Sequence, residues 1–219
     1  MYAGNVTPGG PTDVRELPDV VIRKCSVGEY DNNVYLLTCR ATGEQLLIDA
    51  ATDVPRLRAL VAEGTGRLEH ILTTHRHPDH VGGLVELAGA TGAPTMAGAD
   101  DAAALPLPPD RRLVHGDRVR VGAVDLDVVS LRGHTAGGVA LVYADPRGYA
   151  HLFSGDSLFP GGVGNTTMPG QSFEQLYADV TARVFDVYGD DTWVYPGHGA
   201  DTTVGVQRPH LAEWLARGW

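Results

Sequence analysis

The sequence predicts an α+β fold in four layers, an αββα sandwich of two sheets each faced by helices. Three observations predict it. Strand-like and helix-like stretches alternate along all 219 residues, with no internal repeat and no low-complexity segment. The chain runs twice from strand-rich to helical sequence, the order that two helix-faced sheets need. Its conspicuous His and Asp residues stand at predicted strand ends, as they would along one edge of an open sheet.

Residues 1–19 hold Gly9-Gly10-Pro11 and scattered charge, with no basic start followed by an apolar core. They predict a flexible N-terminal arm, not a secretory signal. Residues 20–219 are expected to form one domain of generous size. Val20 to Val27, Asn33 to Thr38 and Gln45 to Asp49 read as consecutive strands, with Ala41-Thr42-Gly43 as a turn. Thr52 or Asp53 can cap a helix over Val54 to Glu63, with Pro55 in its first turn and Gly64 just past its end. Leu68 to Thr73 is a short apolar strand, His80 to Ala90 a second helix, and Thr95 to Gly98 another strand. A proline-rich connection, Leu105-Pro106-Leu107-Pro108-Pro109, follows. Val124 to Leu131 alternates apolar and polar residues as a half-buried strand does. Tyr149 to Phe153 and Trp193 to Tyr195 are further strands. Between them Ser172 can cap the longest helix, whose core stripe would be Phe173, Leu176, Tyr177, Val180, Val184 and Val187.

Composition narrows the function. The formal net charge is −10 and no run of Lys or Arg occurs, so no extended basic track is offered to a nucleic acid. No stretch approaches the roughly 20 apolar residues that span a membrane. Cys25 and Cys39 do not make a disulfide framework, and free thiols in a reducing cytosol are expected. The expected partner is a small-molecule substrate, and the expected compartment is the cytoplasm.

The most informative run is Thr74-His75-Arg76-His77-Pro78-Asp79-His80. It gathers three imidazoles and a carboxylate at a strand-to-helix turn, where side chains can converge on a point beyond the sheet edge. Such ligands suit Zn²⁺ first, and also iron or manganese. Later strand ends carry His134 in Gly133-His134-Thr135, Asp156 in Ser154-Gly155-Asp156-Ser157, and His198 in Pro196-Gly197-His198-Gly199. Glycine beside each of these lets the backbone turn sharply without a β-carbon clash. His70, His115, His151 and His210 lack such context and read as ordinary surface or core residues.

This ordered set resembles the metallo-β-lactamase superfamily, whose members carry HxHxDH, then a lone His, a lone Asp and a last His. The resemblance runs from roughly residue 20 to the C-terminus, and every position is filled. It implies that His75, His77 and His134 hold one metal, that Asp79, His80 and His198 hold a second, and that Asp156 bridges the two. It also implies that Asp49 steadies the ligands by hydrogen bonds, although a strand-end turn residue reads the same way. Asp79 and Asp156 would be catalytic, fixing a metal-bridging hydroxide that attacks a carbonyl.

Within that superfamily the motifs look most like the short, single-domain glyoxalase II-like group. The sequence stops at Trp219, so the helical C-terminal domain that grips glutathione in long forms is expected to be absent, and a trimmed thiol carrier should serve nearly as well. Thioester hydrolysis is therefore the expected activity. Lactone or ester hydrolysis is the nearby variant, since the same hydroxide attacks both carbonyls. A persulfide dioxygenase-like oxidation, with one iron held by His75, His134 and Asp156, is the alternative from another class, but the Arg-Thr-Asp-Phe run of those enzymes is missing. A metal-stabilised scaffold without turnover is the third. Substrate contacts are expected from Phe159, Asn165 and Thr166 in or beside the glycine-rich loop 160–170, a mobile lid or a plain surface loop. Tyr30, in the turn Gly28 to Asn33, is a further contact unless that turn is only a polar hairpin.

Overall fold

The structure is a computed structural model that describes residues 2–218; Met1 and Trp219, the ends of the expected arm and domain, lie outside the described residues. The first sheet has seven strands in chain order: β1 (Asp13–Glu16), β2 (Val20–Val27), β3 (Asn32–Cys39), β4 (Gln45–Ile48), β5 (Leu68–Thr73), β6 (Thr95–Gly98) and β7 (Arg111–Leu113). Strands β1 to β4 pair antiparallel; β4 to β7 run parallel. Parallel neighbours need a crossover, which helices supply between β4 and β6 and a proline-rich connection supplies between β6 and β7. Helix α1 (Val54–Glu63) joins β4 to β5, and α2 (Pro78–Val81) with α3 (Leu84–Thr91) joins β5 to β6.

The second sheet contains β8 (Arg118–Val121), β9 (Val124–Ser130), β10 (Val139–Ala144) and β11 (Ala150–Gly155). After a small hairpin of β12 (Leu158–Phe159) and β13 (Gly162–Val163), the helix α4 (Phe173–Val180) leads back to β14 (Trp193–Pro196), which pairs parallel with β11. The edge strand β15 (Thr202–Thr203), α5 (Val204–Gln207) and α6 (Leu211–Arg217) complete the chain.

Three apolar clusters fill the three gaps between four layers. Ile22, Tyr35, Leu37 and Ile48 of the first sheet meet Val119, Leu126, Leu141 and Phe153 of the second. Leu36, Leu47 and Ile71 point the other way, onto Leu57, Leu60, Leu84 and Leu87 of α1 and α3. Val129, Val142 and Leu152 meet Leu176, Val180 and Trp214 of α4 and α6. Strands β3, β4 and β11 are buried along their whole length because both of their faces are covered.

The structure corrects three expectations. Residues 2–19 are not a loose arm: β1 pairs with β2, Val6 and Leu17 are buried, and the Tyr2 hydroxyl donates to Asp201 at 2.6 Å. The helix expected over His80 to Ala90 is two helices. Gly83 N donates to both Ala50 O and Ala51 O, and a β-carbon on Gly82 would lie 2.7 Å from Ala51 O, so the chain breaks there to pack on the turn that follows β4. The stripe after Ser172 is also shorter than expected. Ser172 Oγ caps α4 by accepting from Gln175 N, but the helix passes into a π-turn over Thr181–Phe185, which leaves Val187 62% exposed. By contrast, α1 has the expected bounds, with Asp53 accepting from Arg56 N at its start.

Candidate metal centre

All the strand ends named from the sequence meet at one edge of the sandwich. β5 delivers the turn from Thr74 to His80, β9 leads to His134, β11 ends at Asp156, and β14 ends at His198. Backbone bonds lace these turns together: Val139 N to Thr74 O, Gly197 N to Gly155 O and Asn33 N to Gly197 O. Gly197 is required where it stands, because a β-carbon there would run into Asp156 Oδ1 and lie 2.9 Å from His80 Cε1. Gly155 has φ of 50°, and its missing β-carbon leaves room for Thr74.

Asp49 organises the first turn. Its carboxylate accepts from Thr74 N at 2.7 Å, Thr74 Oγ1 at 2.7 Å and His80 Nδ1 at 2.9 Å. With its hydroxyl proton given to Asp49, Thr74 Oγ1 accepts from His75 Nδ1 at 3.0 Å. His134 Nδ1 donates to Asn165 O at 2.7 Å, and His198 Nδ1 donates to Tyr30 O at 2.7 Å. Each of these rings therefore has its Nδ1 engaged and turns its Nε2 toward the others.

Those ring nitrogens converge. His75 Nε2 lies 3.1 Å from His77 Nδ1, and His80 Nε2 lies 3.1 Å from His198 Nε2. Asp79 Oδ2 is 3.4 Å from both His80 Nε2 and His198 Nε2. Asp156 reaches both groups: Oδ1 is 3.4 Å from His80, and Oδ2 is 3.3 Å from His198, 3.5 Å from His134 and 4.0 Å from His75. Donors about 2.0–2.1 Å from a tetrahedral cation stand about 3.4 Å apart, which is this spacing. His134 Nε2 and Asp156 Oδ1 are buried and have no hydrogen-bond partner in the protein, and a cation bound beside them would satisfy both. The donor set fits two divalent ions: His75, His77 and His134 for one, Asp79, His80 and His198 for the other, with Asp156 between.

The electrostatics point the same way. Burial, and then the neighbouring His80 cation, hold His75 well below the usual histidine range, so it is neutral. Burial and then His134 lower His77 as well. Burial alone would also lower His80, but the Asp156 and Asp49 carboxylates raise it well above that range. Against burial, Asp156 and Asp79 push His198 up to about 10. Burial alone would raise Asp156 and Asp79; His80 and His198 outweigh it and lower both. Two aspartates thus hold protons on two histidines, and cations binding there would displace those protons.

The residues expected to contact substrate stand in different settings around the centre. The Tyr30 ring is 71% exposed, and Tyr30, Pro78, Asp79 and His198 line one shallow opening beside the centre. The Phe159 ring centroid is 6.3 Å from that of His198. Asn165 enters through its backbone, which holds His134, while its side-chain Oδ1 accepts from Thr167 N and Oγ1 inside the loop. Thr166 is half-buried in that loop.

Other contributors escaped the sequence reading. Asn32 Nδ2 donates to Asp79 Oδ2 at 2.9 Å and lies 3.5 Å from His80 Nε2. Asn33 Nδ2 donates to Pro196 O and Gly199 O, flanking His198. Behind it the buried Lys24 Nζ donates to Gly199 O, Gly4 O and Asp201 Oδ1. The Asn-Asn pair at the start of β3 was the available signal for the first two; nothing local marks Lys24.

A four-layer αββα sandwich with clustered imidazoles and carboxylates at its edge defines a class of metal-site proteins. The chain belongs to the metallo-beta-lactamase superfamily, whose family model matches residues 27–198. It is 44% identical to the hydroxyacylglutathione hydrolase of Rhodospirillum rubrum over 135 residues, 61% of this chain and 50% of that protein. The chain thus spans about half the length of the curated relatives it matches. Among solved structures, ETHE1 from Myxococcus xanthus superposes with a TM-score of 0.77 at 30% identity, covering 87% of this chain and 82% of that one. TTHA1623, crystallised in a di-iron-bound form, gives 0.71 at 34% identity, covering 84% and 95%.

Proposed function

We propose that this chain is a dinuclear metal-dependent hydrolase of thioesters, glyoxalase II-like in its reaction. The observation that carries the reading is Asp156, whose two oxygens reach both donor groups. The likeness to hydroxyacylglutathione hydrolases supports the thioester as substrate class. Zn²⁺ suits the nitrogen-rich donors, and iron suits them too, in keeping with the di-iron relative; manganese is a third candidate. Divalent cations supply Lewis-acid polarisation of a carbonyl and make water acidic enough to attack it at neutral pH.

The protein's own groups do the rest. Asp79, held by Asn32 and lowered below the usual carboxylate range, stays charged beside the opening and is a weak base. Its part is to accept a hydrogen bond from the attacking water and orient it. Asp156 does the same from the buried side. The exposed Tyr30 ring and the half-buried Phe159 ring flank His198 and offer apolar contact to the acyl or thiol portion of a small substrate. Lactone or ester hydrolysis uses the same arrangement. An iron-dependent persulfide oxidation needs only His75, His134 and Asp156, whereas Asp79, His80 and His198 are held just as firmly by Asn32, Asp49 and Tyr30.

The test is a panel on protein loaded in turn with Zn²⁺, Fe²⁺ and Mn²⁺. It comprises a 2-hydroxyacyl glutathione thioester followed by thiol release, a simple lactone, and glutathione persulfide followed by oxygen uptake. Thioester turnover with two metals per chain is expected. Oxygen uptake with one iron and no thioester turnover would overturn the proposal. No helix among the described residues is long and apolar enough to cross a membrane.

A further inference from the structure

We infer that Asp101 is a positioning residue that sets the distance between His134 and the His75–His77 pair. The inference rests on the reading of that group as a metal site. Asp101 is fully buried just beyond the end of β6, immediately before a 3₁₀ turn over Ala102–Ala104. Its Oδ2 accepts from Arg76 N at 3.1 Å and from Thr135 Oγ1 at 2.6 Å, and its Oδ1 accepts from Gly137 N at 2.9 Å. Arg76 lies between His75 and His77; Thr135 follows His134. One carboxylate therefore straps together two ligand turns that belong to different sheets.

The close approach that permits this strap is built in. A β-carbon on Gly98 would collide with Gly137 O, and one on Gly137 would collide with Asp101 N. The two strand ends thus meet without side chains between them, and the carboxylate spans what remains. Asp49 cannot substitute, since its bonds all fall within the first-sheet turn, to Thr74 and His80. Arg76 Nε, 3.8 Å from Asp101 Oδ1, adds charge balance on the solvent side. Hydrogen-bonding partners behind metal ligands typically change metal affinity by about 10–100-fold when removed. Because the strap touches only one donor group, its loss should be felt there selectively.

The experiment titrates Zn²⁺ against a competing chelator in the full chain, in Asp101→Ala, and in Thr135→Val, a near-isosteric change that removes one end of the strap. Asp145→Asn serves as the control. That buried acid is bound to Arg147 and lies outside the donor cluster, so it reports plain destabilisation. In wild type two ions are expected. Asp101→Ala should keep one at ordinary affinity and bind the other about 10–100-fold more weakly. Thr135→Val should weaken the same ion by less, and gives the answer even where Asp101→Ala fails to fold. Asp145→Asn should lower stability with both affinities unchanged. Two ions bound normally by Asp101→Ala, or equal weakening of both, would overturn the positioning role alone. Failure of wild type to bind Zn²⁺, Fe²⁺ or Mn²⁺ would instead sink the metallohydrolase reading, and the strap's purpose with it.

Discussion

Replacing Gly197 with alanine tests the centre with one methyl group. Its backbone is pinned on both sides: the N–H donates to Gly155 O at 2.9 Å, and the carbonyl accepts from Asn33 N at 2.8 Å. The new β-carbon cannot retreat, and it would overlap Asp156 Oδ1 while lying 3.3 Å from Asp156 Cγ and 2.9 Å from His80 Cε1. The carboxylate must turn away or the β14 end must shift. Forcing a methyl into such a site costs about 1–3 kcal/mol of stability. Because Asp156 touches both donor groups, both ions should bind about 10–100-fold more weakly, equivalent to about 1.4–2.7 kcal/mol each. The assay is chelator competition with zinc, paired with denaturant unfolding. Gly189→Ala is the control, since a β-carbon there meets nothing within 4 Å. Gly197→Ala that binds both ions with wild-type affinity would refute the convergence of Asp156 and His80 on a shared centre.

Three further outcomes are expected. Asp156→Ala should abolish hydrolysis and lower zinc content at both groups, measured as metal per chain after gel filtration; two retained ions and ordinary turnover would remove it from the bridging position. Lys24→Met should cost about 3–5 kcal/mol in urea unfolding, because it strands the buried Asp201 carboxylate, whose remaining side-chain donors are Tyr2 and Trp193; a smaller loss in Lys24→Met/Asp201→Asn is the accompanying check. His151 is lowered to about 4 by burial and then by Arg15, below its unfolded value, so its contribution is complete above about pH 6.5 and fades as pH falls toward 4. That loss is about 3 kcal/mol, and His151→Gln should flatten it in unfolding measured across that window with a chelator present; an unaltered slope would contradict the assignment.

The donor set was legible because its chemistry is local. Three imidazoles and an aspartate in one turn, with glycine beside each later ligand, form a pattern that a metal site demands and that packing or turn formation alone does not. The long strands were legible for a similar reason, being β-branched runs bounded by turn residues. What escaped depends on distant partners. β10 is apolar on both faces, so its six residues have no alternation to separate a strand from a buried helix. β1 is mostly charged and pairs through its backbone as an edge, and the segment before it is held by Asp13 and Asp201. Asn32 and Asp101 act on residues 47 and 34 positions away, respectively, which no local pattern reveals. The break at Gly82-Gly83 likewise answers to the Ala50-Ala51 turn after β4, not to helix propensity.

The first sheet is complete by Leu113 and the second begins at Arg118, and the donors divide the same way. A growing chain therefore displays His75, His77, Asp79 and His80 well before His134, Asp156 and His198 have been synthesised. At that stage the early four make up only part of each donor group, since His134 and His198 are still missing. Only when the second sheet closes on the first do the missing donors arrive, so neither group can be complete in a half-folded chain.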